Sequence, residues 1–191
     1  MTANNKAVDA LVDEFVQYAN RAGLEPKFPN EIPSDLRGSE TDYGAFEWQI
    51  CPATNNMRIE GFLQQLPQVL PHPFRSPIMR YRFAQFEVGP VMFFANTGQP
   101  LFNELSTSVF RDKGLFPTLH QNGYLEFGKR SGGWYDPICF DMKRRHQDDA
   151  PLVQLDHEEI LIRSCIKIVL EIAPSFTAFL KRAITDKLPV H

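Results

Sequence analysis

The densest group of chemically capable side chains in this sequence is Asp156-His157-Glu158-Glu159. Imidazole and carboxylate groups ligate metals and carry protons, so such a run could form a metal site or an acid–base pair. The spacing argues otherwise. A helical site of the H-E-x-x-H type needs a second His four residues after His157, and that position is Leu161. The same residues suit a strand-to-helix junction. Asp156 would cap the helix, Glu159 would complete a capping box, and the acids would complement the positive helix end. A hydrolase or metal enzyme around His157 is therefore a minor alternative.

Other groups yield less chemistry. Gly128-Lys129-Arg130-Ser131-Gly132-Gly133 resembles a phosphate cradle, but a P-loop needs G-x-x-x-x-G-K-[ST] between strand and helix, and here Trp134-Tyr135 leads into a strand. A hairpin loop is the better account. Lys143-Arg144-Arg145-His146 is the only basic run, and Asp148-Asp149 nearly cancels it. A nucleic-acid patch would want interleaved aromatics and a wider basic face, so a solvated loop is expected. There is no G-x-S-x-G elbow and no recognisable Cys–His signature. Cys139, between Ile138 and Phe140, reads as a small packed thiol. Asp136 and Asp141 are five apart on one strand segment, hence on opposite faces and ill-suited to a carboxylate pair. His72 and His120 stand alone. What remains is surface: Trp134 and Tyr135 beside Arg130 and Asp136 are the aromatic and Arg types enriched at binding hot spots, unless the aromatics simply fill the core.

These residues must be held by elements that the apolar pattern outlines. Val8, Leu11, Val12, Phe15, Val16 and Ala19 form one stripe of an amphipathic helix that Gly23 would stop. The segment 24–57, with four prolines, reads as mostly irregular, with a short strand around 45–51. A second helix is predicted at 57–65, capped by Asn55 or Asn56 and limited by Pro67 and Pro71. Period-two alternation then marks strands at Tyr81 and Phe83 and at Phe86 and Val88. Gly89-Pro90 turns the chain into a more buried strand, 91–95, to make an antiparallel hairpin. Residues 101–121 are expected to be helical in part, ending before the turn dipeptide Asn122-Gly123. Strands follow at 124–127, 135–142 and 152–155. Beyond them Leu161, Cys165, Ile168, Val169 and Ile172 sit at helical spacing, with 160–167 open between helix and loop. Pro174 is expected at the first position of a final helix carrying Phe176, Phe179, Leu180, Ala183 and Ile184. Helices before and after hairpin-spaced strands imply an α+β fold with a mainly antiparallel sheet.

Composition narrows the classes. The 191 residues, 43% hydrophobic and 23% charged, can bury a core without metal or disulfide staples. A formal net charge of −3 argues against a general nucleic-acid coat. Three scattered cysteines without C-x-x-C spacing suggest a reducing cytoplasm. The first residues lack the charged and apolar regions of a signal peptide, and no window reaches the length of a membrane span. A soluble cytoplasmic protein without membrane contact is expected. The 15 prolines and 16 phenylalanines point to a Phe-cored domain with many breaks.

The second half resembles a known family. Phe127-Gly128, the Gly-rich loop and Trp134-Tyr135-Asp136-Pro137-Ile138-Cys139-Phe140-Asp141 resemble the signature strand region of the SUKH superfamily. Val153-Gln154-Leu155-Asp156-His157-Glu158 is similar to that family's hydrophobic-Asp-His-Glu strand end, and Ile172-Ala173-Pro174-Ser175-Phe176-Thr177-Ala178-Phe179-Leu180 to its terminal helix. The helix ending at Leu66-Pro67, or the Leu70-Pro71 after it, is similar to the early Leu-Pro helix. The resemblance covers 59–184 and is strongest over 124–181. Arg80-Tyr81-Arg82-Phe83 stands where the family carries Asn-Gly, and 1–57 has no counterpart, which marks a divergent branch.

The superfamily takes in a fungal cell-wall-assembly regulator and many bacterial immunity proteins that neutralise polymorphic or contact-dependent toxins, often nucleases. The resemblance implies an α+β fold, no catalytic residues, no metal and no obligatory cofactor. It also implies a division into an N-terminal helix and Pro-rich extension (1–57) packed on a SUKH-like domain (58–186), with a tail (187–191). The expected function is that of a non-enzymatic immunity protein binding a toxin domain directly. A regulatory or scaffolding protein with a cellular partner is the alternative. Arg130, Trp134, Tyr135, Asp136, Asp148, Asp149, Glu158 and Glu159 are the candidate partner-facing residues, the acids serving to steer a basic toxin.

Overall fold

The first helix, α1 (Ala3–Ala22), buries Val12, Phe15, Val16 and Ala19, the stripe its periodicity predicts. Gly23 follows with φ 87°, the left-handed conformation that ends a helix at little cost only for Gly. The chain, a computed structural model, is described over residues 3–53, 57–111, 113–133 and 135–191.

The stretch after α1 departs from expectation. No strand forms over 45–50, and β1 is only Cys51–Pro52. The reason lies in α1. The Asn20 side chain donates to the Ile50 carbonyl at 3.0 Å and accepts from the Ile50 amide at 2.9 Å, taking the groups a ladder would use. The Trp48 indole donates to the Glu25 carbonyl at 2.9 Å. Leu24, Ile32, Leu36, Trp48 and Ile50 all join the main apolar core.

Helix α2 (Met57–Gln65) matches its predicted span, while the Asn55 or Asn56 cap lies outside the described residues. Next comes a helix that the prolines concealed, α3 (His72–Arg80). Pro73 sits in the first turn, where no intrahelical N–H is needed. Pro77 does remove an interior hydrogen bond, and side-chain anchors to α1 hold the helix in place. Ser76 Oγ donates to Asp9 at 2.6 Å and Arg80 to Asp13 at 2.6 Å. The Tyr81 hydroxyl also donates to Asp13, and burial together with that carboxylate pushes its pKa to about 12. Tyr81–Arg82 is β2, paired antiparallel with β1.

A six-stranded antiparallel sheet follows in simple sequential order: β3 (Phe86–Val88), β4 (Val91–Phe93), β5 (Tyr124–Arg130), β6 (Pro137–Asp141), β7 (Leu152–Leu155) and β8 (Ile168–Ala173). The β3–β4 hairpin turns at Gly89, φ 54°, as expected. Helices α4 (Glu104–Arg111) and α5 (Leu115–Gln121) bridge β4 to β5, and Gly123, φ 74°, makes the turn. Two helices follow, α6 (His157–Arg163) and α7 (Phe176–Thr185).

Two expectations need correction here. The helical spacing from Leu161 to Ile172 does not continue one helix. Ser164 adopts φ 49° and closes α6, and 168–173 is the strand β8. Ile166, Ile168, Val169 and Ile172 are β-branched, and pairing with β7 decides between two patterns that the spacing alone fits equally. Pro174 is not the first residue of α7. It precedes the cap residue Ser175, whose hydroxyl accepts from the Ala178 amide at 3.0 Å.

The sheet is covered on both faces. Helices α1, α3 and α7 pack on one, over a phenylalanine cluster in which Phe74 lies 4.9 Å from Phe127, 5.3 Å from Phe140 and 5.4 Å from Phe176. On the other, α5 and α6 enclose Leu119, Tyr124, Cys139, Val153, Leu155 and Ile160. Cys139 is fully buried, which pushes its thiol well above the usual range, as a packed Cys should behave.

Candidate functional site

One end of the sheet gathers the residues with the most chemical character. Antiparallel order brings the end of β5, the start of β6 and the end of β7 side by side, and α6 begins there. The hairpin between β5 and β6 turns on Gly132 and Gly133, φ 80° and 79°, so the glycine-rich loop is a hairpin loop as expected. Upstream, Gly128 is obligatory for another reason. A Cβ there would lie 2.3 Å from the Met92 carbonyl oxygen of β4.

Asp136 ties this end together. Its carboxylate accepts from Gln154 Nε2 at 2.7 Å, from the His157 amide at 3.2 Å and from His157 Nδ1 at 2.8 Å. Burial raises the carboxyl's pKa, but the bonds from the His157 ring, Gln154 and the His157 amide outweigh it and hold Asp136 below the usual carboxylate value. An ionised carboxylate can only accept, so the imidazole carries its proton on Nδ1. The Tyr135 ring stands 5.9 Å from the His157 ring, with the Lys129 ammonium 5.5 Å above the Tyr135 face. Tyr135 is nonetheless 68% exposed. The alternative that this aromatic fills the core is thus set aside, while Trp134 lies outside the described residues.

The acidic run divides its labour. Asp156 caps α6 by accepting from the Glu159 amide at 3.2 Å, as the junction reading predicts. It also accepts from Lys167 Nζ at 2.9 Å, and that bond, with the amide, keeps its pKa low. The expected capping box is only half present. The Glu159 carboxylate turns instead to Arg163 at 3.2 Å, one helical turn on. Glu158 is exposed. Among the described residues, no group of three or more His, Cys, Asp or Glu side chains is placed to hold a metal ion.

The candidate partner-facing residues therefore fall into two places. Arg130, Tyr135, Asp136, Glu158 and Glu159 lie at this end. Arg130 donates its amide to the Asp136 carbonyl at 3.0 Å. Asp148 and Asp149 lie at the opposite end, in the β6–β7 connection, and both have structural work. Asp148 pairs with Arg145. Asp149 accepts from the Phe176 and Thr177 amides at 2.9 and 3.0 Å and so caps α7. A cavity of about 340 Å³ opens near them, beside His72 and Arg144, and Arg144 is itself tied to Asp141 and Glu171. The acids form no continuous steering face. Gln154, Lys129 and Lys167 escaped the sequence reading, since nothing local in a buried strand residue or two lysines marks partners 18, 6 and 11 residues away across turns and strands.

No protein-family model matches the chain, and no curated protein matches it either. Among the described residues no helix is long and apolar enough to cross a membrane.

Proposed function

We propose that this chain is a non-catalytic, immunity-type binding protein that neutralises a protein toxin by covering it, and that the toxin docks around Tyr135. The observation that carries the reading is an exposed aromatic held in place. Tyr135 is 68% exposed, yet its ring is flanked by His157 and Lys129, and His157 is locked by Asp136. A side chain ordered before binding loses less rotamer freedom on complex formation. Aromatic anchors of this kind, set among charged and polar neighbours, make up the hot spots of interfaces. Glu158 and Arg130 stand on the same rim and would add specificity and register more than affinity.

The class of partner comes from the SUKH resemblance of 124–181: a polymorphic or contact-dependent toxin domain, nucleases among them. The test is direct. The product of the neighbouring gene is mixed with the purified chain and binding is measured by calorimetry. A tight complex is expected. Tyr135→Ala should weaken it about thirtyfold or more, the mark of a hot spot, while leaving the melting temperature unchanged. Absence of a complex at micromolar concentration would remove the reading, and capture of a cellular partner in place of a toxin would turn it to a regulatory module.

A further inference from the structure

Lys129 stands on β5, an inner strand of the sheet, with Met92 of β4 on one side and Pro137 of β6 on the other. It is half-buried, and its ammonium lies 6.0 Å from the centre of the Phe94 ring and 5.5 Å from that of Tyr135. Among the described residues no carboxylate forms an ion pair with it. The acids of this end are engaged elsewhere. Asp136 holds Gln154 and His157, Asp156 holds Lys167, and Glu159 holds Arg163. Glu87 meets the Gly132 amide at 3.4 Å, and Glu158 is exposed on α6. A half-buried ammonium over two rings still keeps part of its hydration. A partner docked on Tyr135 would remove that water, because Tyr135 is one of the two rings. A charge stripped of water and left unpaired is among the costliest groups an interface can hold.

We propose that the face of the toxin covering Tyr135 presents an aspartate or glutamate carboxylate to Lys129. This rests on the docking of a toxin around Tyr135 and names the chemistry of what docks there. A neutral carbonyl would satisfy one N–H and leave the charge uncompensated. A carboxylate compensates the charge and accepts a short, charge-assisted hydrogen bond. The Tyr135 ring and the ammonium are already in contact, so anchor and charge pair form in one docking event. Glu158, on the same rim, disfavours a carboxylate placed against α6, so the pair also fixes register. The docking face of the toxin is thus negative where it meets this patch, opposite in sign to the basic face that the chain's acids were expected to steer. Asp148 and Asp149, at the far end and tied to Arg145 and α7, take no part.

Calorimetric titration of the neighbouring gene's product into Lys129 variants tests it. Lys129→Met keeps an apolar stem over Phe94 and removes only the charge, so the melting temperature should hold while the complex weakens about tenfold or more. Lys129→Glu, which sets two carboxylates face to face, should weaken it further. Raising the salt should loosen the wild-type complex more than the Lys129→Met complex, since only the former has the charge pair to screen. The toxin's surface acids are then changed singly to lysine. One such change is expected both to weaken binding to the wild-type chain and to restore binding to Lys129→Glu, which a lysine that merely props Tyr135 would not produce. Wild-type affinity in Lys129→Met and Lys129→Glu, or failure of every acid exchange to restore Lys129→Glu, would overturn the proposal. If Tyr135→Ala still weakens the complex in that case, docking around Tyr135 stands without the charge pair. Absence of any complex with the wild-type chain would remove both.

Discussion

Removing the Asp136 carboxylate should cost this protein more than any other single change at the sheet end. Three donors converge on it: the Gln154 amide group, the His157 backbone and the His157 ring. Gln154 is 2% exposed, so in Asp136→Ala its amide would be stranded away from water. A hydrogen bond to a charged group contributes about 1.5–3 kcal/mol and a stranded buried donor costs about 1–3 kcal/mol. The three bonds share one carboxylate and are not additive, so a loss of about 2–4 kcal/mol is expected. In a chain of this size that lowers Tm by roughly 4–16 °C. Urea unfolding measures it, and a loss below about 0.5 kcal/mol, the range of ordinary surface changes, would refute the junction. The pH dependence gives a second check. The carboxyl's folded pKa lies below its unfolded value of about 3.9, so its contribution is complete above that pH and is lost as pH falls through the folded value. The gap between wild type and Asp136→Asn should therefore narrow in acid; a gap constant from neutral to acid pH would contradict the account.

Three further substitutions probe the frame that positions the site. Gly128→Ala forces a Cβ toward the Met92 carbonyl and should cost about 1–3 kcal/mol in equilibrium unfolding, as overpacking does. Phe74→Ala empties the centre of the phenylalanine cluster, where three rings lie within 5.4 Å, and should cost about 3–5 kcal/mol by the same assay. Asp149→Ala deprives α7 of the acceptor for two amides while Ser175 still caps a third, so a loss of about 1–2 kcal/mol is expected in thermal melts followed by circular dichroism.

The elements legible in the sequence are those whose apolar period has one physical solution. The α1 stripe fits only a helix, and Ile138 and Phe140 against Cys139 fit only a strand between two packed layers. Helix α3 was hidden because its two prolines, Pro73 and Pro77, each argue against a helix, while their tolerance depends on the anchors from Asp9 and Asp13, far away in the chain. Strand β8 was hidden because positions 161, 165, 168 and 172 satisfy a helical period as well, and only the tertiary ladder with β7 decides. The site divides the same way. Asp156 as a cap is a local fact and was readable. The bond from His157 to Asp136 spans 21 positions, and no spacing rule encodes it. Asp148 and Asp149 read as companions of Glu158 and Glu159 because they are close in sequence, yet β7 runs between them and carries the two pairs to opposite ends of the sheet.

The central claim is that Tyr135, fixed by His157 and Asp136, anchors a toxin. Calorimetric titration of the neighbouring gene's product into the wild-type chain and into Tyr135→Ala tests it most directly. The account predicts a tight complex with the wild type and binding at least thirtyfold weaker with Tyr135→Ala at an unchanged Tm. Equal affinity for the two proteins, or no heat of binding from either, would contradict it.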